Sequence, residues 1–85
     1  MNYKKRILTL RINKIWFDKI KSGEKNTEYR EVKPYYKSRI EGKNLTHCRL
    51  IAGYSKDAPK MTLPIKSIEI KNSEKLGGMC YCINF

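Results

Sequence analysis

Lys14-Ile15-Trp16-Phe17-Asp18-Lys19-Ile20-Lys21-Ser22-Gly23-Glu24-Lys25-Asn26-Thr27-Glu28-Tyr29-Arg30 changes its periodicity halfway along. Over Lys14 to Lys21 the apolar residues Ile15, Trp16, Phe17 and Ile20 gather on one side of a helix, and Asn13 stands in front of it as an N-cap. Trp16 and Phe17 are expected in the core in preference to a stacking platform. Ser22-Gly23 ends the helix, because Gly23 is free to take the left-handed conformation of a helix C-terminus. From Lys25 to Val32 the period becomes two. Thr27 and Tyr29 face one way, Glu28 and Arg30 the other, as in a strand.

Reading outward, Arg6 to Ile12 is a strand with Leu8, Leu10 and Ile12 on one face and Ile7 on the other. Downstream, Pro34 opens a short helical turn over Tyr35 to Ile40 that Glu41-Gly42 closes. Leu45 to Tyr54 is a third strand, and Ser55 to Pro59 a polar turn. Met61 to Lys71 reads as one fourth strand, with Pro64 placing it at an edge or marking a bulge. Gly77-Gly78 turns the chain into a closing strand, Met79 to Phe85. Neither repeat nor linker interrupts this order, so residues 1–85 form one domain. The expected class is α+β: a small barrel of about five strands, with one main helix after the first strand and a short helical turn.

Nineteen Lys and Arg against eight Asp and Glu leave a net charge of +11 on 85 residues. Such a field raises the local concentration of phosphates and points to a polyanion partner, which by charge alone is RNA, DNA or a protein itself wrapped around nucleic acid. Apolar residues make up 40% of the chain, enough for a small core and too many for a disordered basic tail. The apolar runs are too short to cross a membrane, and no secretory leader follows the basic N-terminus, so the cytoplasm is the expected location. Cys48, Cys80 and Cys82 are odd in number and lack a framework spacing, which fits free packing thiols in a reducing compartment. Cys80-x-Cys82 with His47-Cys48 offers four donors on paper, but both clusters alternate as strands do, and neither metal nor cofactor is expected. His47 reads as structural. A monomer is expected.

The charged trio Lys25, Glu28 and Arg30 is costly to bury without partners, so it is expected to line a groove rather than fill a core. Glu28 and Arg30, two apart in a strand, share a face and brace each other; the plain alternative is an ordinary surface pair. Tyr29, Tyr35, Tyr36 and Tyr54 are interleaved with Arg30, Lys33, Lys37, Arg39 and Lys56, a pattern suited to stacking bases between phosphate contacts.

Gly23-x-Lys25-x-x-Glu28-x-Arg30, after a strand and an amphipathic helix, resembles the motif of the ASCH domain, a relative of the PUA superfamily. Leu10-x-Ile12, the run Trp16 to Lys25, Val32-Lys33-Pro34-Tyr35-Tyr36 and Gly53 to Pro59 are similar to a compact subgroup of small ASCH proteins of phages and mobile elements. The resemblance runs from about Ile7 to the end. It implies a PUA-like β-barrel with an RNA-binding groove beside the first helix, lined by Lys25, Glu28 and Arg30; from the interleaving, Lys33, Tyr36, Arg39, Tyr54 and Lys56 are expected to extend it. It also raises two alternatives. Some members resemble amidohydrolases that deacylate modified cytidines such as N4-acetylcytidine, pairing a Lys at the position of Lys25 with a Thr three residues on and a distant Glu. Here Glu28 stands at the Thr position and Thr27 points to the opposite face. Lys25 and Glu28 would then take the acid–base roles, with Glu69 or Glu74 as the distant carboxylate. Alternatively, a mobile-element protein docks its positive face on a host nucleic-acid machine.

Overall fold

The computed structural model describes residues 4–75 and 77–85; residues 1–3 of the basic N-terminus, and Leu76, lie outside them. The order is β1 (Ile7–Ile12), α1 (Lys14–Lys21), β2 (Thr27–Glu31), α2 (Pro34–Ile40), β3 (His47–Ala52), β4 (Lys60–Pro64), β5 (Ser67–Ser73) and β6 (Gly78–Asn84). These make an α+β fold of six strands and two helices among the described residues. None of those helices is long and apolar enough to cross a membrane.

The strands form two three-stranded sheets, β1-β3-β4 and β2-β6-β5. β3 runs parallel to β1 and antiparallel to β4, while β6 is antiparallel to both its neighbours. Among the described residues no ladder closes the two sheets into a barrel. β1 and β2 are both edge strands. The chain leaves β1, builds α1, β2 and α2, and returns at β3 beside β1, the long crossover that a parallel pair requires.

Leu8, Leu10 and Ile12 of β1, Cys48, Leu50 and Ala52 of β3, and Tyr81 and Ile83 of β6 fill the space between the sheets, with Phe17, Ile20 and Ile40 closing it. The alternation expected in β1 and β2 is therefore the one observed.

The run from Met61 to Lys71 is not one strand, because it breaks after Pro64 into β4 and β5, which belong to different sheets. Proline has no N–H to carry the ladder further, so it can end an edge strand. The amides just past it are taken up separately, Ile65 donating to the Thr46 carbonyl and Lys66 to that of Asn84. Those two bonds mark the step from one sheet to the other.

α1 is capped as read: the Asn13 side chain accepts from the Ile15 amide at 2.8 Å, and Gly23 takes φ +84°. Its packing differs from the reading. Phe17 and Ile20 are buried, whereas Ile15 and Trp16 are 61% and 46% exposed. At 100° per residue, Phe17 and Ile20 share a stripe, Trp16 sits on its rim, and Ile15 points away. An eight-residue helix laid over one end of a small core has room for the stripe alone.

Candidate nucleic-acid interface

Glu28 and Arg30 stand opposite the core residues Ile83 and Tyr81, on the inward face of β2. Tyr29 lies on the outward face, opposite Cys82. The motif's carboxylate therefore points toward the core. Glu28 is 7% exposed, the buried charged residue among those described. What makes this tolerable is its partners. Arg30 Nη2 donates to Glu28 Oε2 at 2.8 Å, Lys25 Nζ lies 3.6 Å from Oε1, and the Tyr29 amide donates to Oε1 at 3.3 Å. Glu28 is thus buried with partners rather than bare: a buried carboxylate is held when cations and an N–H surround it.

Arg30 is engaged on every side. Besides Glu28, its Nη1 donates to the Tyr36 hydroxyl at 3.0 Å and its Nη2 to the Arg11 carbonyl at 2.9 Å. Burial acts to lower the pKa of its guanidinium, yet the hydrogen bonds to Glu28 and Tyr36 and the Glu28 charge outweigh it and move it up. Because Arg11 is in β1, this side chain ties the free edge of one sheet to the free edge of the other. The Glu28 charge reaches the core thiol of Cys48, pushed up to about 12 by burial and then by that carboxylate.

Two clefts of about 400 and 430 Å³ lie along this seam. The first is bordered by Asn13, Trp16, Tyr29 and Lys33, the second by Tyr35, Arg39 and Tyr54, and both touch Arg11, Arg30 and Tyr36. They form one groove between the edges of β1 and β2. Its cations are held against rings: the Arg39 guanidinium lies 3.6 Å from the Tyr35 ring centre and that of Arg11 5.8 Å from Tyr54. Lys25 Nζ sits 5.2 Å from Trp16 and 5.0 Å from Tyr29.

The structure thus brings Arg30, Lys33, Tyr36, Arg39 and Tyr54 together along the groove, with Glu28 at its floor. Lys25 lines neither cleft and meets the site through the rings of Trp16 and Tyr29, which border the first. Lys56, exposed in the turn after Tyr54, lines neither cleft. Arg11 is a functional candidate that the sequence reading left out, and Trp16 one that it assigned to the core in preference to a stacking role. Arg11 could have been found as the cation facing away from Leu10 and Ile12, and Trp16 as the ring off the Phe17/Ile20 stripe.

The hydrolase arrangement is only partly assembled. Lys25 and Glu28 are adjacent, but Thr27 is on the outward face, donating to Asn84 Oδ1 at 2.7 Å. Glu69 is on that outward face too, accepting from Asn84 Nδ2 and paired with Lys71. Among the described residues no three His, Cys, Asp or Glu gather where they could hold a metal ion. No family model, curated protein or solved structure matches the chain.

Proposed function

We propose that this protein is a nucleic-acid-binding domain of the ASCH type, its two sheets a PUA-like barrel, that takes RNA or single-stranded nucleic acid along the groove between β1 and β2. The observation that carries this reading is the alternation of cations and rings along one seam, Lys25–Tyr29, Arg30–Tyr36, Arg39–Tyr35 and Arg11–Tyr54, in a chain of net charge +11. Rings offer stacking faces to bases while the interleaved cations meet the phosphates. Within the Gly23-x-Lys25-x-x-Glu28-x-Arg30 motif the roles divide. Glu28 orients Arg30 and Lys25, Arg30 joins the two edges, and Lys25, Arg11, Arg39 and Lys33, the last in an exposed pair with Glu31, meet the ligand.

Fluorescence anisotropy with a labelled single-stranded RNA at two salt concentrations tests this. Binding should weaken steeply as salt rises, since each neutralised phosphate releases counterion. A flat salt response, or no binding at low salt, removes the reading. The amidohydrolase alternative rests on the 3.6 Å approach of Lys25 to Glu28. With Thr27 facing away, we expect purified protein not to deacylate N4-acetylcytidine. Turnover abolished by Lys25→Ala would reverse that order.

A further inference from the structure

Trp16 is the single tryptophan of the chain, and it is 46% exposed beside Tyr29, itself 48% exposed, at one end of the groove. Large aromatic rings are normally well buried, and a neighbouring position on the same helix, Phe17, is. The indole is also surrounded by positive charge: Lys25 Nζ lies 5.2 Å from its centre and Lys19 Nζ 5.3 Å. Lys25 is shared between this ring and Tyr29 at 5.0 Å. A half-exposed aromatic face inside a cluster of ammonium groups, continuous with a cationic groove, presents the two things a nucleotide needs together.

We propose that Trp16 is the stacking platform for one unpaired nucleobase, with Lys19 and Lys25 receiving the flanking phosphates; this rests on the groove being the nucleic-acid site. A base laid on the indole displaces an ammonium group from the ring. A displaced Lys19 gains a phosphate, a stronger acceptor than an exposed ring face, so the exchange favours the nucleotide, while Lys25 meets its phosphate without leaving Glu28. A continuous duplex hides the faces of its internal bases in its own stack and cannot offer one here. A peptide of Asp and Glu would satisfy the lysines but has no aromatic face to lay on the ring. The ligand is therefore a single-stranded segment, or the unpaired end or loop of a folded one.

Because Trp16 is the only tryptophan, its emission reports on the platform directly, while anisotropy of a dye on the oligonucleotide reports on binding anywhere. Three probes separate the contributions: a hexa-adenylate strand, an abasic strand with the same number of phosphates, and poly-glutamate. Hexa-adenylate should bind and quench Trp16; the abasic strand should bind more weakly and leave the emission unquenched; poly-glutamate should not quench. Trp16→Ala should weaken hexa-adenylate roughly 5- to 150-fold and leave the abasic strand unchanged, the range expected for loss of one base–aromatic stack. Trp16→Phe should retain most of the affinity. Phe17 and Ile20 stay in place in both variants, and far-ultraviolet circular dichroism checks their folding. Binding without quenching, equal affinity in Trp16→Ala, or equal quenching by poly-glutamate overturns the platform while leaving the groove reading intact. Absence of binding by any strand at low salt overturns both.

Discussion

Arg30 shows how a residue that looks like a ligand contact can be committed to the fold. Its guanidinium satisfies Glu28, Tyr36 and the Arg11 carbonyl at once. Arg30→Ala leaves the Glu28 carboxylate buried with Lys25 at 3.6 Å as its remaining cation and unties β1 from β2. It is expected to destabilise the protein by about 3–5 kcal/mol, the usual result of orphaning one member of a buried ion pair. Lys25→Ala leaves the Arg30 bond intact and should cost about 1 kcal/mol or less. Urea unfolding of the two variants checks the difference, and equal midpoints would mean that Glu28 does not depend on Arg30. The cysteines belong at this scale too. Cys48, Cys80 and Cys82 are free and buried, and burial holds the thiols of Cys48 and Cys82 above their ordinary range. The thiolate is the reactive form, so iodoacetamide at pH 8 should leave all three unmodified in native protein and label three in guanidinium, as mass spectrometry would count.

Among the elements, α1 carries most of the site for its size. It supplies Trp16, and the loop after it delivers Lys25 to β2. A helix of eight residues is marginal alone, so its cap matters. Asn13 accepts from the Ile15 amide, and Asn13→Ala should cost about 1 kcal/mol, within a range of about 0.5–2, whereas Asn13→Asp should cost far less. Thermal unfolding followed by circular dichroism separates the two variants. Equal losses would assign the effect to the groove that Asn13 borders rather than to the cap. α2 has no side-chain cap; Pro34 begins it, its ring already set to a helical φ, and Arg39 on Tyr35 stiffens its exposed face.

For the whole molecule the decisive quantities are charge and the pH dependence that buried groups impose. The Cys48 thiol, 0% exposed, is raised from 9.0 to about 12. Above pH 9 the unfolded chain releases this proton and the folded one does not, so stability falls with rising pH. The contribution is complete below about pH 9 and is lost as pH passes through about 12. At pH 10.5 the loss amounts to about 2 kcal/mol, from 1.36 kcal/mol per pH unit. Tyr81, raised to about 12 by burial and its hydrogen bond to Glu41, acts in the same direction. Unfolding midpoints from pH 7 to 10.5 should be level at first and then decline. Cys48→Ala should start lower, having lost core volume, but decline less. An unchanged slope in that variant would mean that Cys48 does not carry the effect.

Where local pattern sets the outcome, the chain's own order of residues was enough. The alternation in β1 and β2, the Asn13 cap, the Gly23 stop and the Pro34 start depend on neighbours within a few residues. So did the sharing of one face by Glu28 and Arg30. Other features depended on contacts that the sequence does not contain. Whether Met61 to Lys71 is one strand or two turns on which partner strand each half meets; Pro64 marks a boundary without saying that the chain there changes sheets. Whether Glu28 is exposed or buried turns on Arg30 and Lys25 closing around it beneath the seam of β1 and β2. Trp16 illustrates the same limit. Helical periodicity places it beside Ile20, but only the extent of the core under α1 decides which residues of that side are covered. The core is too small to reach past Phe17 and Ile20, and the indole is left at the mouth of the groove.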